Sequence, residues 1–189
     1  MDATGEPFLL WISDVFRRRP GRPVLVVGHV ERGSVREGHE VMSVGSGTAP
    51  PVRVAGIEHD RVNVDEAAAG MHVGILLSGT GADAVRRGQV LATPGSIRAH
   101  TVFTADLAPL SEEQGGADVV SGDRLCFHVG TAAVTGTVVL HGPEVLRPLH
   151  AGEVTVTLEE PVALEEGGRF AFRHHGRAAG SGAVTRLLR

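Results

Sequence analysis

Short apolar runs, separated by glycine, proline or charged turns, recur along the whole chain. In the first half they are Phe8–Ile12, Val24–Val30, Val52–Ile57 and Met71–Leu77. The second half repeats the rhythm with Thr101–Leu107, Leu125–Val129, Thr135–Leu140, Val154–Leu158, Arg169–Arg173 and Gly182–Leu188. β-branched residues are frequent and alternation is partial, the pattern of half-buried strands in a sandwich or barrel. The charged turn Glu31-Arg32-Gly33 follows Val24–Val30 and predicts a hairpin with a second strand near Ser34-Val35. Arg36-Glu37-Gly38 makes a further turn before Glu40-Val41. One segment, Gly81–Arg87, has the pattern of a helical turn, with Arg86 and Arg87 placed to face the negative end of its dipole.

The apolar pattern breaks between Ala92 and His100, where Pro94-Gly95 makes a stiff turn. A boundary there divides the chain into residues 1–96 and 97–189, each long enough for a small core. So many short strands need protection from exposed edges, and closure supplies it. The predicted fold is all-β, two tandem small closed β-barrels.

Composition narrows the chemistry. The chain contains no lysine, so arginine supplies all 18 of its Lys/Arg cations. A Walker phosphate loop needs its lysine to reach the phosphates, and is therefore excluded from this chain. A formal net charge of −4 argues against indiscriminate coating of nucleic acid, DNA included, while leaving room for local arginine patches on RNA. The single cysteine, Cys126, precludes an internal disulfide and suits a reducing compartment. Phe8–Ile12 is too short for a signal core or a membrane span, so a soluble cytoplasmic protein is expected. Adjacent strand residues point to opposite faces, so His174-His175 reads as a solvated pair, and no further ligands stand at metal spacing. Cys126 reads as a small core residue. Neither a catalytic constellation nor a cofactor motif is found, and the expectation is a binding protein without enzymatic activity.

An ordered set of motifs makes the reading specific. Pro7-Phe-Leu-Leu10, Ile12-Ser-Asp-Val-Phe16, Val27-Gly-His-Val-Glu-Arg-Gly33 and Arg87-Gly-Gln-Val-Leu-Ala92 with Pro94-Gly95 resemble domain 2 of the bacterial elongation factor Tu family. In the second half, Val134-Thr-Gly-Thr137, Pro161-Val-Ala-Leu164, Gly168-Arg-Phe-Ala-Phe-Arg173, Gly176-Arg177 and Gly180-Ser-Gly182 resemble its domain 3. Members of that family begin with a GTPase domain whose phosphate-binding and base-reading motifs do not stand in these 189 residues. The resemblance thus implies a GTPase-less relative that hydrolyses no GTP.

In the family, domain 2 holds the aminoacylated 3′ end of transfer RNA and domain 3 contacts the T-stem backbone. The resemblance puts Glu58 where an acid packs on the terminal adenine, Arg61 at an arginine lining that pocket, and Leu76 at a leucine of its apolar floor. Arg17, Arg18 and Arg19 replace the small polar and isoleucine residues of the loop over the pocket, with one residue inserted. His59-Asp60 replaces a Met-Phe pair and His29 an arginine. In the second half, Ala117–Ser121 is a shortened loop without the family's Arg-His-Thr-Pro-Phe, and Gly130-Thr131-Ala132 stands for Arg-Thr-Thr. Arg169, Arg173 and Arg177 remain as candidate T-stem contacts. Each has a plainer reading: Glu58 with Arg61 as a surface ion pair worth under about 1 kcal/mol, and the arginines as solvated side chains. The partner expected first is the 3′ acceptor end of an aminoacyl-tRNA. The alternative is a protein-interaction module that binds an exchange factor, another translation protein, or a separate GTPase subunit.

Overall fold

A computed structural model describes residues 5–17, 19–47 and 49–189, and in it the chain divides into two compact units, Met1–Arg98 and Ala99–Arg189. The first unit contains strands β1 (Leu9–Phe16), β2 (Val24–Arg32), β3 (Ser34–Arg36), β4 (Glu40–Val44), β5 (Val52–His59), β6 (Val62–Asn63), β7 (Glu66–Ala68), β8 (His72–Ser78) and β9 (Val90–Ala92). The second contains β10 (Arg98–Pro109), β11 (Val119–Val120), β12 (Arg124–Val129), β13 (Ala132–Leu140), β14 (Val145–Leu146), β15 (Gly152–Leu164), β16 (Arg169–His174) and β17 (Arg177–Leu187). The chain is all-β, and each unit is a closed barrel. The first ring runs β4-β9-β1-β2-β8-β5 and closes through the β4–β5 pairing; the second runs β10-β15-β13-β12-β16-β17.

Alternation fills the two interiors. In β2, Val24, Val26, Gly28 and Val30 point inward, while Leu25, Val27 and His29 are half-buried or exposed. In β8, Val73, Ile75 and Leu77 do the same. With Leu10, Ile12, Val54 and Ile57 they form the first core. The second core is built on phenylalanine: Phe103, Phe127 and Phe170 meet edge to face, with ring centroids 5.4–6.3 Å apart. Four of the chain's six phenylalanines, Phe172 included, are buried here. The motif Gly180-Ser-Gly182 belongs to this core. Gly180 pairs with Phe172 and Gly182 with Phe170 across β16–β17. A Cβ at Gly182 would stand 2.5 Å from the Phe170 ring and 2.5 Å from the Asp106 carbonyl. The rings lie directly over hydrogen, and no other residue leaves room.

Two local expectations are corrected. β2 and β3 do not form a hairpin, because β3 pairs with β7 in a separate ribbon while β2 lies between β1 and β8. Gly33, at φ +69°, turns the chain out of the sheet, and a Cβ there would stand 2.5 Å from the Glu6 carbonyl. The helical segment is a single 3-10 turn at Ala82–Ala84 with no basic residue in it, so Arg86 and Arg87 cap no dipole. A second 3-10 turn covers Glu112–Gln114. Among the described residues no helix is long and apolar enough to cross a membrane.

Candidate functional site

The outward face of β1, β2, β8 and β5 carries a half-buried apolar strip with an acid beside it. Cross-strand register sets one row as Phe16–Leu25–Leu76–Gly56. The next row is Asp14–Val27–Gly74–Glu58–Asn63. Two glycines shape the surface between them. A Cβ on Gly74 would touch Leu25 Cδ1 at 3.1 Å and Glu58 Cβ at 3.8 Å, and one on Gly56 would touch Leu76 Cδ1 at 3.3 Å. Leu25 and Glu58 therefore lean toward each other over Gly74, and Leu76 spreads over Gly56. The result is a shelf of two leucines with a carboxylate at its border. Phe16, 49% exposed, extends it.

Glu58 and Leu76 thus share one face. Arg61 follows in the two-residue turn between β5 and β6, where Asp60 (φ +51°) and Arg61 (φ +65°) are both left-handed between the paired His59 and Val62. This is a type I′ hairpin turn, whose twist matches the strands but which favours Asn and Gly. Glu58 makes no ion pair with Arg61 among the described residues; the contact at this turn is His59 Nε2 to Asp60 Oδ2 at 3.3 Å. Sequence reasoning missed Leu25 and Phe16. Their signal was the alternation of β2 and β1, which turns a leucine and a phenylalanine away from the core.

The β1–β2 loop arginines behave differently from one another. Arg17 Nη2 donates to the Asp83 carbonyl at 3.2 Å and to the Val85 carbonyl. Arg18 lies outside the described residues. Arg19 is exposed and opens a turn that returns to Arg22, whose N–H donates to the Arg19 carbonyl at 3.1 Å.

On the second barrel, Arg169 and Arg173 lie on the outer face of β16, and Arg177 opens β17 opposite His174. Arg173 Nη2 donates to the Gly176 carbonyl at 2.6 Å, folding over its own hairpin. The His174-His175 expectation is corrected. His174 is 5% exposed, and its ring stacks on His175 with centroids 3.9 Å apart. Opposite-face alternation fails because His175, at φ +52°, belongs to the turn and not to the strand. Burial, with the neighbouring His175, pushes the His174 imidazole below its ordinary value of 6.5, against the opposing pull of Asp123. Its Nδ1 has no hydrogen-bond partner, and Nε2 lies 3.6 Å from Asp123 Oδ2. Cys126 also departs from expectation: it faces outward between buried Leu125 and Phe127, with Sγ 3.6 Å from His128 Nε2. No group of three or more His, Cys, Asp and Glu suited to a metal ion stands among the described residues.

Comparison with protein families gives one match for each barrel. Residues 24–92 match the family model described as elongation factor Tu domain 2, and residues 96–188 match that of the elongation factor Tu C-terminal domain. The two matches follow the chain order of the two barrels.

Proposed function

The chain belongs to the elongation factor Tu-like family, and on that premise we propose that it serves translation by binding the 3′ acceptor end of an aminoacyl-tRNA, without hydrolysing nucleotide. The observation that carries this reading is the shelf on the first barrel, where Leu25 and Glu58 converge over Gly74 and Leu76 spreads over Gly56 beside them. A terminal adenine needs a flat apolar surface for its ring, and single-stranded RNA ends are recognised in this way. The Glu58 carboxylate accepts hydrogen bonds only, so it is matched to an exocyclic amine or a ribose hydroxyl at the edge of that shelf. Arg61 stands one turn away as a phosphate or base contact. Of the arginines expected over the pocket, Arg17 is engaged by backbone carbonyls and Arg18 lies outside the described residues. Arg169, Arg173 and Arg177 are the candidate T-stem contacts, with Arg173 already sharing one amino group with Gly176.

A second reading rests on Leu149. It is 73% exposed and left-handed at φ +63°, an expensive conformation for a branched residue on a solvent-facing loop. In that reading the second barrel docks a protein, such as an exchange factor or a separate GTPase subunit. Salt separates the two. RNA binding built on phosphate contacts weakens steeply with ionic strength, and an apolar protein interface does not. The test is fluorescence titration of acceptor-stem RNA with wild type, Glu58→Ala and Leu76→Asp at low and moderate salt. The proposal expects Leu76→Asp to weaken binding by at least tenfold. Glu58→Ala should blunt preference for a terminal adenosine while leaving the salt slope unchanged. Equal binding by all three proteins would transfer the case to the protein-docking reading.

A further inference from the structure

We propose that the first barrel carries a second ligand site, a cleft lined by Arg17, Arg19 and Arg22 that binds a phosphoryl anion. The cleft lies between the β1–β2 loop and the 3-10 turn, has a volume of about 340 Å³, and is lined by Arg17, Arg19, Pro20, Arg22, Val24 and Asp83. That is within the size of small-ligand sites, about 300–1,000 Å³.

Local sequence explains why three guanidiniums meet here. Arg19-Pro20-Gly21-Arg22 is a type II turn: proline presets its second position, Gly21 takes φ +81° at its third, and Arg22 N–H closes on the Arg19 carbonyl. Such a turn holds its first and last Cα atoms within about 7 Å, so Arg19 and Arg22 leave the backbone side by side. Arg17 reaches the same cleft from the end of β1. Its Nη2 is fixed by the Asp83 and Val85 carbonyls, and Val85 is fully buried, so the guanidinium is anchored to the core of the barrel. A guanidinium has five N–H donors, and the donors on Nε and Nη1 of Arg17 are not used in these bonds. The side chains of Arg19 and Arg22 have no hydrogen-bond or ion-pair partner among the described residues.

The charge balance selects the ligand. Three guanidiniums face one carboxylate, Asp83, so the cleft favours an anion with more than one charge and several acceptor oxygens. Arginine forks match such oxygens in pairs. A phosphate or diphosphate group meets that description better than a single carboxylate. The group is either part of an RNA backbone or carried by a free ligand. The site is separate from the Leu25–Leu76–Glu58 shelf in its residues and stands whether or not that shelf binds an acceptor end.

Calorimetric titration with inorganic pyrophosphate at low salt tests the proposal. Saturable one-site binding is expected, weakened at least tenfold by Arg22→Ser and by Arg19→Ser and lost in the double variant. Both side chains are exposed, so these variants keep the fold, which a circular dichroism spectrum checks. Asp83→Asn is expected to tighten binding, because its carboxylate opposes the ligand. Arg186→Ser, at an exposed arginine of β17, is expected to leave pyrophosphate binding unchanged. Acceptor-stem RNA added in competition distinguishes the sources. Displacement of pyrophosphate supports a backbone phosphate at this site, and binding undisturbed by RNA supports a free phosphorylated ligand. Absence of saturable binding, or equal binding by wild type and the Arg19→Ser/Arg22→Ser double variant, overturns the proposal.

Discussion

His174 is the residue whose environment departs furthest from its chemistry. Its ring is buried at the end of the second barrel, one nitrogen has no partner, and the nearest carboxylate oxygen is beyond good hydrogen-bond range. The native state therefore favours the neutral imidazole. Well above 6.5 the ring is neutral in folded and unfolded chains alike and contributes nothing to pH dependence. As pH falls below that value the unfolded chain takes up the proton first, and native stability falls until the lower folded-state value is passed. Urea midpoints measured from about pH 7.5 down to about pH 5.5 should drop more for wild type than for His174→Leu. Parallel profiles would refute the assignment. Arg61 carries strain of another kind. A non-glycine residue in the left-handed region costs about 1–2 kcal/mol, and such costs tend to persist where function holds them. Arg61→Gly should leave the fold intact or stabilise it by up to about 1 kcal/mol while weakening acceptor-RNA binding. A destabilised Arg61→Gly protein would show that the guanidinium serves the fold.

Among the elements, strands with a regular inward alternation were legible in the sequence, and those set by partners were not. β2, β8, β12 and β13 announce themselves because buried, mostly apolar residues recur at every second position, and β5 follows the same pattern up to a bulge between Val54 and Gly56. β9, three residues long and buried throughout, has no alternation to read, yet it links β4 to β1 in the closed ring. β3 looked like the return arm of a hairpin, because a charged Gly-containing turn is the ordinary signal for one. Its partner, β7, is set by the path the chain takes after Gly33. Of the candidate site, Glu58 and Leu76 came from motif resemblance, but the shelf itself depends on Gly56 and Gly74, whose importance shows only when opposing side chains are placed over them. The same physics governs Gly180 and Gly182. Gly182→Ala should destabilise the second barrel by about 1–3 kcal/mol through overpacking, whereas Ser181→Ala, on an exposed position between them, should be nearly neutral. Denaturant midpoints decide this, and equal midpoints for the two variants would remove the ring-over-glycine account.

At the scale of the whole molecule, the chain is two barrels, each with its own core and its own closed ring of strands. Residues 99–189 alone should fold to a β-type spectrum with cooperative unfolding, since the phenylalanine cluster lies wholly within them; a non-cooperative transition would contradict that. Under the proposed function, recognition at this scale rests on local charge. A molecule with a net charge of −4 gains little from general attraction to RNA, so specific contacts must carry recognition. The most direct test of the acceptor-end claim is therefore the affinity of the wild-type chain for one aminoacylated transfer RNA, compared at fixed salt with the same RNA lacking its CCA end. The account predicts at least tenfold weaker binding once that end is removed, with Glu58→Ala narrowing the difference. Equal affinity for the two RNAs, or no binding of either, would contradict it.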